Sequence, residues 1–122
     1  MIAELITYLR KNTPYKYYFN GTDSIQDCVV YNYYETSNDG IKETYHLELH
    51  IIIKGTKEKS LLKVEEMKNT INKLILTRAD NKLTDRIRKV YQNGGGQLID
   101  SNTDTIHQMI YYDILYVNKN ER

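Results

Sequence analysis

Between Thr44 and Ile53 the chain alternates: Tyr45, Leu47, Leu49, Ile51 and Ile53 are apolar, while Thr44, His46, Glu48 and His50 are polar, and only Ile52 breaks the second set. Side chains of a strand point to opposite faces with period two, so this segment reads as a strand with one face in a core. Such a face needs a covering layer, and the residues after Gly55-Thr56 supply one. Leu61, Val64, Met67, Ile71, Leu74 and Ile75 fall on one side of a helical wheel, with Lys57, Glu58, Lys63, Glu66 and Lys73 mainly on the other. Thr56 is the expected N-cap of this helix. A half-polar strand running into an amphipathic helix commits the chain to helices layered on a sheet.

The remaining elements follow from punctuation and period. Ile2, Leu5, Ile6 and Leu9 share one helical face, and Asn12-Thr13-Pro14 ends that helix near residue 11, because proline disfavours helical geometry in the residue before it. Tyr15–Phe19 reads as a short aromatic strand closed by Asn20-Gly21, and Cys28–Tyr34 as a second strand. Asp39-Gly40 marks a hairpin between that strand and the alternating one. Residues 77–85 read as a polar linker, 86–92 as a strand, Asn93-Gly94-Gly95-Gly96 as a turn, and Leu98-Ile99 as a strand fragment. Ile106–Val117 closes the chain, with Ile106, Ile110, Tyr112, Ile114 and Tyr116 on one face and His107, Met109, Tyr111 and Asp113 on the other. The order α-β-β-β-α-β-β predicts an α+β fold, a mainly antiparallel sheet flanked by two helices, as a single domain over residues 1–122.

Composition narrows the function classes. With 17 basic and 16 acidic residues the net charge is +1, which argues against a dedicated nucleic-acid binder. One cysteine, Cys28, forbids an intramolecular disulfide. Acidic Glu4 without a basic flank does not fit a signal peptide, and no apolar run approaches the ~20 residues that span a bilayer. A soluble protein made in a reducing cytoplasm is expected. The 12 tyrosines, against one phenylalanine and no tryptophan, fit either AT-rich codon usage or a contact surface.

No motif supports catalysis, a cofactor or a metal. His46, Glu48 and His50 share a strand face, but the outer two stand roughly 13 Å apart at the backbone, and His107 reads as isolated. Nothing near Cys28 suggests a basic pocket or helix N-terminus to activate it. Gly94-Gly95-Gly96 lacks the Gly-Lys-Ser/Thr and following helix of a phosphate loop. The basic segment Arg78, Lys82, Arg86, Arg88 and Lys89 is interrupted by Asp80 and Asp85 and reads as a solvated face or a charged subunit contact. Glu65-Glu66 and Asp100/Asp104 sit in polar settings unsuited to acid–base work. The expectation is therefore a non-enzyme that works by binding or assembly.

The order and length of the elements resemble the tail-terminator, or tail-completion, proteins of bacteriophages and phage-tail-like bacteriocins. The likeness spans the opening helix, Tyr15–Phe19, the hairpin at Asp39-Gly40, the strand Tyr45–Ile53 with its helix, and the closing strands around the glycines. The resemblance implies a structural virion protein, without turnover, that closes as a hexameric ring on the tail tube, stops its growth and forms the junction to the connector, neck or collar. Its implied partners are further copies of itself and the tube protein, together with sheath and neck or connector proteins, with no membrane and no sequence-specific nucleic acid. Its implied place is the bacterial cytoplasm during assembly and then the head-proximal end of the tail. A head-completion or neck protein is the runner-up, and a generic cytoplasmic interaction module or a small enzyme is the alternative from another class. A ring needs one patch to meet a different patch on the next copy. The candidate interface residues are His46, Glu48, His50, Tyr111 and Asp113, and the candidate neighbour-contact loop comprises Glu35, Asn38, Asp39, Gly40 and Ile41.

Overall fold

The computed structural model describes residues 2–21, 27–80 and 87–117, with the backbone alone over 77–80. Helix α1 spans Ile2–Asn12 and buries Ile2, Leu5, Ile6 and Leu9, the four residues set on one face by their spacing. It stops where Thr13 folds back, its amide 3.0 Å and its hydroxyl 2.8 Å from the Leu9 carbonyl. The Thr13 hydroxyl also meets the Tyr17 phenol at 2.8 Å, joining the helix end to the first strand. Burial pushes that phenol up to about 12, partly offset by the Thr13 hydrogen bond.

Five strands follow: β1 (Tyr17–Phe19), β2 (Cys28–Asn38), β3 (Lys42–Lys54), β4 (Ile87–Asp100) and β5 (Thr105–Val117). Helix α2 (Glu58–Asp80) lies between β3 and β4 in the chain. The sheet order is β1-β2-β3-β5-β4, with β1 parallel to β2 and every other pair antiparallel. The fold is α+β, with the element order read from the sequence.

One face of the sheet packs against both helices. Tyr17, Val29, Tyr45, Leu47, Leu49, Ile51, Ile53, Ile106, Ile110, Tyr112, Ile114 and Tyr116 join Val64, Met67, Ile71 and Ile75 of α2 and the α1 quartet in one core. Period two on the long strands β3 and β5 and period 3.6 on two helices thus converge on one apolar layer. The Tyr112 hydroxyl donates to Asn72 Oδ1 at 2.9 Å, pinning α2 to the interior strand β5. Burial raises the Tyr112 phenol, so it stays a donor.

Several sequence expectations need correction. The aromatic strand begins at Tyr17, not Tyr15, and β2 runs on to Asn38. Helix α2 continues through Asp80, so the supposed linker begins as helix; 81–86 lie outside the described residues. Thr56 does not cap α2: its hydroxyl turns to Asp104 Oδ1 at 3.1 Å, and the Lys57 carbonyl accepts the first helical bonds from Ser60 and Leu61. The largest correction concerns the glycines. Residues 93–96 are no turn; β4 runs unbroken through them, with a register shift between Gln92 and Gly95. The reversal comes later, at 101–104, where Asp104 takes a positive φ of 54° and the Asp100 carboxylate accepts from the Asn102 and Thr103 amides. Leu98 and Ile99 therefore belong to β4, opposite His107 and Ile106. A glycine run normally marks a turn, and here a bulge used it instead.

Candidate assembly surface

The second face of the sheet is the molecule's distinctive surface. Among the described residues, no helix or strand covers it. Strand pairing builds it in rows, and one row crosses four strands: Tyr34 on β2 opposes His46 on β3, His46 opposes Asp113 on β5, and Asp113 opposes Tyr91 on β4. Within it, His46 Nδ1 lies 2.9 Å from Asp113 Oδ1, and the Tyr34 and His46 ring centroids are 5.2 Å apart. Asp113 also accepts from Asn93 Nδ2 at 2.6 Å. The row ends at each side in an exposed tyrosine, Tyr34 at 57% and Tyr91 at 55%.

Neighbouring residues brace this row. His46 Nε2 faces Glu48 Oε2 at 3.2 Å, and Tyr111 leans on the His46 ring with centroids 5.6 Å apart. Gly94 lies over Tyr111, whose ring carbon is 3.4 Å from where a Cβ would stand. His46, Glu48, Tyr111 and Asp113 thus form one cluster, as their shared parity predicts. His46 sits between the two carboxylates with one nitrogen toward each, so these groups do not converge on a common point. Among the described residues, no set of three or more His, Cys, Asp or Glu side chains is arranged to hold a metal.

His50 belongs to a different network on the same face, and here the sequence reading needs correction. His107 is not isolated: its Nδ1 lies 2.7 Å from His50 Nε2, with ring centroids 4.9 Å apart. His107 Nε2 reaches the Thr105 hydroxyl at 2.8 Å, and Thr105 reaches Thr103 at 2.6 Å. Burial, and then the charge of His107, lowers the pKa of His50 below its ordinary value. Only the pairing of β3 with β5 could bring these distant histidines together; the signal in the sequence was that His107 shares parity with Tyr111 and Asp113.

Cys28 is buried at the end of this face, opposite Ile52. Burial, reinforced by the Asp27 carboxylate, pushes its thiol up, which opposes nucleophile chemistry. Asp27 itself pairs with Lys63 of α2 and accepts from the Lys54 amide at 2.9 Å. Desolvation works against that carboxylate's charge, but these bonds outweigh it and lower its pKa.

The proposed contact loop splits in two. Glu35 and Asn38 lie in β2, and only Asp39, Gly40 and Ile41 form the hairpin tip, where Gly40 takes a φ of 88°. The Asp39 carboxylate accepts from the Lys42 and Ile41 amides at 2.7 and 2.9 Å, which holds its pKa below the usual carboxylate range. Asn38 Oδ1 accepts from the Gly40 amide at 2.8 Å. Ile41 remains half exposed at the tip.

On the helix side, an open cleft of about 540 Å³ lies between α2 and β4, lined by Glu65, Lys68, Gln92, Gly94–Gly96, Gln97 and Gln108. Gln108 is buried, donates to the Gly96 and Met109 carbonyls at 3.0 and 3.1 Å, and accepts from Gln97 at 3.2 Å. Its polar groups are thereby engaged in holding the bulged strand. Of the basic segment, Arg88 and Lys89 lie exposed at the start of β4; 81–86 and the side chain of residue 78 lie outside the described residues. Compared with known proteins, the chain matches no protein-family model and no curated sequence.

Proposed function

We propose that this protein is a structural assembly subunit of the tail-terminator kind, which closes as a ring on the head-proximal end of a tail tube, stops its growth and presents a junction to the neck. The observation that carries the reading is the asymmetry of the sheet. One face is spent on the core beneath both helices, while the other bears the cross-strand row from Tyr34 to Tyr91, the His50–His107 pair, and half-buried Val30, Ile52, Met109 and Leu115. Mixed aromatic, aliphatic and hydrogen-bonding surface of this kind suits contact between subunits that also exist free in water. The resemblance in element order to tail terminators supplies the kind of assembly.

The test is made on particles. A strain lacking the protein should form tails of uncontrolled length, and a tag on the protein should mark one end of each tail, far from the receptor-binding tip. Normal tail length in the deletion strain, or label along the tube or at the baseplate, refutes the proposal.

A further inference from the structure

Among the described residues, the sheet has two edges left wholly or partly unpaired, on opposite sides. On one side β1 pairs with β2 only over Val29–Tyr31, and among the described residues nothing pairs there with Asn32–Asn38. The Val29 amide donates to Lys16 and the Tyr31 carbonyl accepts from Asn20, so odd-numbered residues of β2 point their main-chain groups to that side. By the two-residue period of a strand, Tyr33 and Glu35 do the same. On the other side β4 has β5 on one flank and, among the described residues, no strand on its outer flank. Free strand edges are templates for pairing with another chain.

We infer that the ring seam is a continuation of this sheet, in which the first half of β4 of one copy pairs antiparallel with the free half of β2 of the next, Tyr91 opposite Tyr34. This rests on the ring reading above; the geometry that selects the seam is independent of it. Direction is the first argument: β2, β3, β5 and β4 alternate at every step, so a second copy in the same orientation places its β2 antiparallel to β4. Face parity is the second. Tyr34 and Tyr91 lie in one row on the uncovered face, so continuing the row without stagger sets them side by side. The adjoining row, Glu35-Tyr45-Ile114-Val90, then continues on the helix side with Val90 opposite Glu35. The register shift between Gln92 and Gly95 breaks the edge just beyond Tyr91 and limits the seam to one short stretch. Because two different edges meet, the contact is heterologous, as ring closure requires.

Cysteine pairs test the seam. Within one chain Tyr34 and Tyr91 stand three strand spacings apart, about 14 Å, beyond the roughly 7 Å a disulfide can bridge. In a Cys28→Ala background at the highest attainable concentration, oxidised Tyr34→Cys/Tyr91→Cys protein should give a ladder of covalent oligomers. A mixture of the two single variants should give dimers, at least tenfold more than either variant alone or than Tyr91→Cys mixed with Leu62→Cys, whose site on α2 is 61% exposed. All substituted tyrosines are exposed, and circular dichroism of each variant verifies folding. Dimer yields equal to the Leu62→Cys background, or Tyr34→Cys linking to itself as well as to Tyr91→Cys, overturn the seam. The two proposals fail separately. End-labelled particles lacking the cross-link refute the seam alone, and a cross-linked ladder with normal tails in the deletion strain refutes the tail-terminator reading alone.

Discussion

Replacing each of Gly94, Gly95 and Gly96 by alanine should give three different stabilities, because the three sites differ in backbone conformation and in free space. At Gly95 φ is +141°, and an added Cβ would stand 2.4 Å from the Met109 carbonyl oxygen and 3.3 Å from the Ile110 Cα. Both obstacles are backbone of β5, so relief requires parting the two strands. Holding a side chain in so sparsely populated a conformation costs about 1–3 kcal/mol, and forcing an atom into occupied space costs about 1–3 kcal/mol more. Gly95→Ala should therefore lose roughly 2–6 kcal/mol. At Gly94 φ is +96° but the nearest atom is a Tyr111 ring carbon at 3.4 Å, so only the conformational cost of about 1–3 kcal/mol applies. At Gly96 nothing lies within 4 Å and no positive φ is required. Gly96→Ala should be neutral, or more stable by about 0.4–1 kcal/mol through lower unfolded-state entropy. Urea unfolding followed by circular dichroism measures all three, and in a thermal scan each kcal/mol should shift Tm by about 3–5 °C. Three variants within about 0.5 kcal/mol of one another would refute the reasoning, since a loose turn accepts alanine equally at each position.

Two further outcomes concern the uncovered face. The Cys28 thiol should react slowly with a thiol reagent in native protein and rapidly in denaturant, because it is buried and its pKa is raised; fast native labelling would contradict that burial. Burial holds the folded pKa of His50 below the ordinary histidine value, so the unfolded chain takes up a proton first and stability should fall as pH drops below about 6.5 toward the folded pKa. The groups facing it are His107, Glu48, Tyr111 and Cys28, with His46 beyond Glu48. Urea midpoints from pH 7.5 to 5 should decline less steeply in His50→Gln than in the parent, and equal slopes would exclude this role.

Local period was enough for the elements whose partners are the core. The α1 quartet, Tyr45 to Ile53 at odd numbers on β3, the even-numbered run of β5 and Val64, Met67, Ile71 and Ile75 of the α2 stripe are buried as their spacing dictates, with Leu61 and Leu74 half-buried at its margin, because a strand or helix repeats its own geometry regardless of what lies across from it. The hairpin at Asp39-Gly40 was legible for the same reason: a turn needing positive φ announces itself by its residues. The glycines of β4 misled because positive φ serves a bulge as well as a turn, and only the β5 carbonyl pressed against Gly95 tells them apart. Thr56 misled because a hydroxyl bonds to the nearest acceptor, and the 101–104 reversal brings Asp104 to it from far along the chain.

The sequence by itself determined which residues share a face, since parity is a property of one strand. Only the tertiary structure decided which strands stand side by side. That order turns His46 and Asp113 into neighbours, joins His50 to His107, and lines up Tyr34 and Tyr91 at opposite ends of one row. Strand pairing is a non-local choice, made by burying the most apolar strands, β3 and β5, at the centre beneath α2. A single-strand pattern carries no record of that neighbour, and so the sheet edges, where the proposed seam lies, emerge only when the whole sheet has been assembled.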